Sequence, residues 1–271
     1  MANEKGTRWL ILYFILAFFI SWALWIPSVL NSNGTPMPGF LLLISNFALL
    51  GPGIAAIIVL AFSKGRSGIK ALFKNAWNWK FNKLWLIAVI CIPLAVIGIS
   101  YVIKQLAESQ AFALGDVGMP IPLFVIFMLF AGGPLEEFGW RGFALPALLK
   151  KMPLVAASLV LGVLHGLWHL PLHFMEGTVQ ANIPIWEFIA VTAVGAIIYS
   201  WLFVKTNGSL IAMIIHHWSA NLFSALLVYW DTSLGRWVFF GAQLITAVVI
   251  VLIYNKSNDK SKLPDILKKI A

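Results

Sequence analysis

The sequence is poor in charge and in cysteine. Of its 271 residues, 11% are charged and 61% are hydrophobic, with a mean hydropathy of +0.89. That is about half the charged fraction of a soluble domain, so the composition excludes a disordered chain and disfavours a water-soluble globule. The single cysteine, Cys91, excludes an intramolecular disulfide. We therefore predict a chain that folds in a lipid bilayer.

Eight apolar runs are long enough to cross a bilayer, for which a helix needs about 20 residues. They are residues 9–30, 40–62, 84–103, 121–149, 154–174, 185–204, 210–230 and 237–254. The pattern predicts an all-α fold, a polytopic bundle of about eight transmembrane helices. We interpret it as a single integral membrane domain, 1–271, that ends in a cytoplasmic tail, 255–271.

The distribution of positive charge predicts the orientation of this bundle. With the N-terminus in the cytoplasm and the runs alternating, 16 of the 19 Lys and Arg residues fall in cytoplasmic segments. Lys104 and Arg236 fall outside, and Arg141 lies within a run. Because cytoplasmic loops are enriched in Lys and Arg, both ends are predicted to be cytoplasmic. Orientation accounts for the net charge of +9, and we expect the lipid bilayer, not nucleic acid, as the partner of the basic segments.

Ionisable side chains inside the runs are informative, because each costs about 2.5–3.5 kcal/mol at the centre of a membrane helix. All five histidines of the chain fall in two of the runs. The polar residues of interest are Glu136, Glu137 and Arg141 in the fourth run, His165, His169 and His173 in the fifth, and His216, His217 and Asn221 in the seventh.

Helix geometry predicts how these residues meet. Glu137 and Arg141 are four residues apart on one face, which favours an ion pair. A hairpin of the fourth and fifth runs would place Glu136 and His169 at a similar depth, at 1.5 Å per residue, and His217 lies at a comparable one. A desolvated carboxylate and a histidine suit water activation, and a second histidine with an asparagine suits an oxyanion. The set therefore predicts a water-attack peptidase.

Three sequence stretches resemble the motifs of a known family. Residues 136–146 (EEFGWRGFALP) resemble the Glu-Glu-x-x-x-Arg motif of the CAAX protease and bacteriocin-processing (CPBP, or Abi) intramembrane proteases. Residues 161–172 (LGVLHGLWHLPL) resemble the second motif, an aromatic residue followed four positions later by His. His217 and Asn221 match the third, His-x-x-x-Asn. His165 stands where the second motif has Phe or Tyr.

The resemblance implies a role for each matching residue, on core helices spanning 121–230. Glu136 would activate water with the help of His169, or of His165 as the alternative. His217 and Asn221 would stabilise the oxyanion. Glu137 and Arg141 would be a supporting pair, and His165 would otherwise support the catalytic histidine.

The resemblance also implies a substrate and bears on cofactors. We expect an intramembrane endopeptidase that cleaves membrane-associated peptides or protein tails near the cytoplasmic leaflet of a bacterial plasma membrane. No metal is required in the preferred reading; a zinc alternative would use Glu136, His169 and His217 as ligands. The rival functions are a non-catalytic bacteriocin-immunity or scaffold protein and a proton-coupled transporter.

Overall fold

The computed structural model describes residues 2–131, 133, 135–257, 263 and 265–268. These described residues form eleven α-helices and no strand, so the predicted all-α fold is confirmed. The helices are α1 (Ala2–Ser32), α2 (Gly39–Ser45), α3 (Gly51–Ala76, interrupted by a kink at Gly65), α4 (Trp85–Ala107), α5 (Ile121–Ala131), α6 (Glu136–Gly139), α7 (Leu145–Leu149), α8 (Leu154–Trp168), α9 (Ile185–Lys205), α10 (Leu210–Leu226) and α11 (Ser233–Lys256). Of the predicted tail, residues 258–262, 264 and 269–271 lie outside the described part.

Six helical stretches within the described residues are long and apolar enough to cross a membrane. They are Gly6–Ser32, Gly39–Ala76, Trp85–Ala107, Leu154–Phe174, Ile185–Lys205 and Ser233–Lys256. Each contains or overlaps one of the predicted runs. Large apolar side chains remain exposed along these helices, as on α11, where Ile245 is 67% and Leu252 56% exposed. Such faces suit contact with lipid, and the protein is a multi-pass membrane protein.

The prediction of one continuous span over 121–149 is wrong. Helix α5 ends at Ala131, and a second helical run begins at Glu136. Between them Gly133 has a φ of +68°, a left-handed conformation that an α-helix cannot continue through. The second run, 136–149, is about 21 Å long at 1.5 Å per residue and includes a π-helical segment, Trp140–Ala144.

The seventh predicted span, 210–230, is also shorter than expected. The Ser209 hydroxyl caps the start of α10 by accepting a hydrogen bond from the backbone N–H of Ala212. The helix ends at Leu226, and the last predicted residues continue as a non-helical segment. It is therefore an apolar helix of 17 residues, which still carries the whole His-x-x-x-Asn motif.

Close packing between α8 and α9 positions the histidines of the second motif. A side chain on Gly162 would overlap the backbone of Ala193, and one on Gly166 would approach Thr192 and Ile189. Small residues that let two helices approach closely are typical of membrane helix pairs. On its other side, the last turn of α8 packs against α1, where the rings of Trp25 and Trp168 lie 4.6 Å apart. The end of α8 is therefore held from two sides.

Candidate active site

The residues of the three motifs meet at one cavity of about 840 Å³. Its walls come from the last turn of α8, residues 186–199 of α9, residues 216–225 of α10 and residues 236–243 of α11, with parts of α4 and α5. The predicted site residues that line it are Glu136, Arg141, His165, His169, His217 and Asn221, and His216 lines it as well. The predicted convergence of Glu136, His169, His217 and Asn221 is therefore present.

Glu136 opens helix α6 and is only 2% exposed. Its Oε2 accepts a hydrogen bond from Nε1 of Trp140, at 3.3 Å, one turn further along. The same oxygen lies 3.1 Å from Nε2 of His165. A buried carboxylate needs such partners, and both contacts leave the second carboxylate oxygen available to another group.

The two histidines of α8 stand in different relations to this carboxylate. His165 contacts Glu136 directly, whereas Nδ1 of His169 lies 2.9 Å from the backbone oxygen of His165. A carbonyl oxygen can only accept, so Nδ1 of His169 is the donor and its Nε2 keeps a lone pair in the neutral ring. The two rings are 4.9 Å apart. The structure thus places His165 between Glu136 and His169.

Glu137 points away from Glu136 and forms a second polar centre. The predicted ion pair is present, with Nη1 of Arg141 2.6 Å from Oε1 of Glu137. Nδ1 of His217 lies 2.7 Å from the same oxygen. The Arg141 guanidinium also lies 3.8 Å from the centre of the Tyr199 ring, a favourable cation–π contact. Because Glu137 is fully buried, this centre fixes His217 of α10 to the helix that carries Glu136.

The remaining polar residues divide between the cavity and the packing. Asn221 lies one helical turn after His217 and lines the same cavity. His216 also reaches the cavity, but its Nδ1 donates to the backbone oxygen of Val89, at 2.7 Å, and so ties α10 to α4. His173 lies beyond α8, where its Nδ1 donates to the Ile183 oxygen at 3.1 Å.

Three further residues that were not predicted from the sequence shape the site. A Cβ on Gly133 would overlap the His217 ring, so only glycine leaves room for that imidazole here. Trp140 is at i+4 from Glu136, and this spacing was a usable signal. For Tyr199 the sequence offers no such signal, because its contact with Arg141 joins helices that are distant in sequence.

One group of side chains in the described part of the chain could hold a metal ion. Ligand atoms of Glu136, His165 and His169 all lie within 4.8 Å of one another. The zinc alternative named His217 in place of His165. In the structure, His217 is instead bound to Glu137 through Nδ1.

Two comparisons with known proteins agree with this geometry. Residues 118–223, which include all three motifs, match the family described as Rce1-like, type II CAAX prenyl endopeptidase. The chain is also 30% identical over 262 residues to a protein named CAAX prenyl protease 2 from Methanococcus maripaludis, an alignment that covers 90% of this chain and 93% of that protein. Since the likeness extends over nearly the whole length of both proteins, the chain belongs to the family of Rce1-like CAAX prenyl endopeptidases, and the predicted intramembrane endopeptidase function is confirmed.

Proposed function

We propose that the protein cleaves peptide bonds of membrane-associated peptides or protein tails with a water molecule activated by Glu136, in the plasma membrane of the cell. The observation that carries this proposal is the Glu136 carboxylate, which is buried at the cavity and engaged through one oxygen only among the contacts described above. The second oxygen can accept a proton from water in the cavity.

In this mechanism His165 in the last turn of α8 and His169 directly after it have different roles. His165 donates from Nε2 to Glu136 and holds the carboxylate in place. His169, whose Nδ1 hydrogen is taken by a backbone oxygen, offers Nε2 as an acceptor that orients the attacking water. We therefore retain His169 as the catalytic histidine and assign His165 a positioning role.

The opposite wall of the cavity would receive the negative charge of the tetrahedral intermediate. His217 donates from Nδ1 to Glu137, and in the imidazolium form it has a second hydrogen on Nε2. Asn221, one turn away, offers an amide N–H₂. Donors fixed in place before the reaction stabilise an oxyanion most effectively, and the Glu137–Arg141 pair supplies that fixation.

The zinc alternative can be compared with the ligand atoms that the structure brings together. Glu136, His165 and His169 have the number and type of ligands that suit zinc, and a bound zinc ion would polarise a water molecule. Yet Glu136 would then be a ligand and no longer the base. Glu137 cannot replace it, because its carboxylate is fully buried and does not line the cavity. This supports the metal-free mechanism.

Cleavage of fluorogenic lipopeptides by the purified, detergent-solubilised chain tests this proposal. The set of peptides should carry C-terminal tails with and without a prenylated cysteine. Glu136→Gln preserves the shape of the side chain but removes the base, so we expect a loss of about 10²–10⁴-fold in rate. Glu176→Gln, which makes the same change at an exposed glutamate outside the cavity lining, is the matched control. Unchanged cleavage by Glu136→Gln would show that the base is another group.

A further inference from the structure

The cavity of the active site lies toward one end of the helix bundle. Apart from Gly133, its lining residues in loops lie in 108–120, 175–184 and 227–232. These three loops belong to one end of the bundle, because Arg236 pairs with Glu187, which follows the second loop, and donates to the Trp230 oxygen in the third. Gly115 donates to the Leu226 oxygen at 2.8 Å, and Lys104 pairs with Asp231 at 2.6 Å. Exposed residues of this end, such as Val179 at 39% exposure, line the cavity. We define this end as the mouth end.

The basic segments lie at the opposite end. Lys151, after α7, donates to the Thr7 hydroxyl at the start of α1, at 2.7 Å. Asn207, between α9 and α10, donates to the backbone oxygen of Lys80 at 2.8 Å. These contacts, together with a smaller cavity lined by Gly6, Lys64 and Lys150, join the polar segments 2–8, 64–83, 150–153 and 205–209 at one end, which we define as the basic end. Among the described residues that line the cavity, none comes from these segments.

The two ends differ strongly in charge. The mouth end carries five acidic residues and two basic ones: Glu108, Asp116, Glu176, Glu187, Asp231, Lys104 and Arg236. Both of its basic residues are in ion pairs, Lys104 with Asp231 and Arg236 with Glu187. The sequence segments of the basic end and the C-terminal tail together carry 16 basic residues against three acidic ones.

This asymmetry orients the active site in the membrane. Segments rich in Lys and Arg stay in the cytoplasm when a membrane protein inserts, so the basic end faces the cytoplasm and the mouth end faces away from it. We infer that the cavity takes its substrate from the extracytoplasmic side, so that the substrate class is a membrane-associated peptide exposed on the outer face and not a cytoplasmic protein tail. That a substrate enters the cavity rests on the proposed function. The side from which it enters rests on the geometry and the charge distribution. It replaces the expectation that cleavage occurs near the cytoplasmic leaflet.

The side of entry can be measured without any activity. Cys91 is the only cysteine of the chain and lies outside the cavity lining, so Cys91→Ser provides a background without thiols. Into it Val179→Cys is introduced at the mouth end and, separately, Lys150→Cys at the basic end, both at exposed positions. We expect a membrane-impermeant maleimide to label Val179→Cys in intact cells and Lys150→Cys only in inverted vesicles. The reverse pattern would overturn the inference.

The substrate class is tested by cleavage from each side. An impermeant fluorogenic peptide is added to right-side-out and to inverted vesicles that contain the unaltered chain or Glu136→Gln. We expect Glu136-dependent cleavage to be confined to right-side-out vesicles, and cleavage confined to inverted vesicles would overturn the inference. The expected labelling with no Glu136-dependent cleavage from either side would confirm the orientation of the cavity and contradict the proposed function, so the two failures are distinguishable.

Discussion

Nδ1 of His217 lies 2.7 Å from Oε1 of Glu137, the same oxygen that Nη1 of Arg141 approaches to 2.6 Å. One oxygen of this fully buried carboxylate therefore contacts side chains from two helical segments. It neutralises the guanidinium on its own helical run and orients the imidazole of α10. The second acidic residue of the Glu-Glu pair thus has a task as specific as the first.

Glu137→Gln should lower both the stability of the protein and its rate of peptide cleavage. The change leaves the buried Arg141 guanidinium without its counter-charge, and breaking a buried ion pair from one side costs about 3–5 kcal/mol. We expect a clear fall in the thermal unfolding midpoint in detergent. The control is Glu187→Gln, whose pair with Arg236 is partly exposed and should contribute less. Equal midpoints for the two variants would contradict a structural role for Glu137.

Phenylalanine substitutions separate the roles of His165 and His169. His169→Phe removes the water-orienting nitrogen, so we expect a loss of about 10²-fold or more in cleavage rate. His165→Phe removes one hydrogen bond to Glu136 and keeps a ring of the kind that the family motif has there. We expect this variant to cleave about tenfold more slowly, which is equivalent to about 1.4 kcal/mol in the activation free energy.

The control for both variants is His173→Phe, which changes a histidine beyond α8 that contacts neither Glu136 nor His217 among the described contacts. It should cleave at the rate of the unaltered chain. If His165→Phe is as inactive as His169→Phe, the histidine in direct contact with Glu136 takes part in the chemistry.

Gly133→Ala should impair cleavage for a steric reason. Its Cβ would overlap the His217 ring, and a displaced catalytic group can cost about 10²-fold in rate. Gly118→Ala is a close control, because Gly118 has nearly the same φ, +69°, with no atom within 4 Å of the added Cβ. Both variants bear a backbone cost of about 1–2 kcal/mol. Equal activity in the two would mean that the space beside His217 is not needed.

Cleavage should persist when metal ions are removed. The proposed mechanism uses only side chains of the chain, so incubation with a strong chelator should leave the rate unchanged, while a zinc peptidase assayed alongside loses its activity. Elemental analysis of the purified active protein should find no stoichiometric zinc. Loss of activity with the chelator and recovery on adding zinc would instead assign Glu136, His165 and His169 as ligands.

Much of the fold could be predicted because a bilayer imposes length and apolarity on every spanning helix. The six long spans follow that rule directly. The two spans that differ each carry a catalytic motif. The break near Gly133 depends on a left-handed backbone conformation that a hydropathy average does not detect, although the glycine itself was visible in the sequence.

The site was predictable as a set but not as a network of contacts. Spacing along a single helix correctly paired Glu137 with Arg141. It could not decide which histidine of α8 faces Glu136, because that depends on how α8 is rotated against the run 136–149, and this rotation is set by packing with α1 and α9. The contact of His217 with Glu137 spans 80 positions in the chain, so no local periodicity could reveal it.

The break before α6 has a consequence for the supply of the second reactant. Hydrolysis consumes one water molecule per bond, and hydrocarbon provides none. Non-helical backbone at membrane depth is tolerated where it lines a hydrated space, and Gly133 lines the cavity immediately before Glu136. The unwound backbone at Gly133 and the reaction therefore share one requirement, hydration, and both lie at the same cavity.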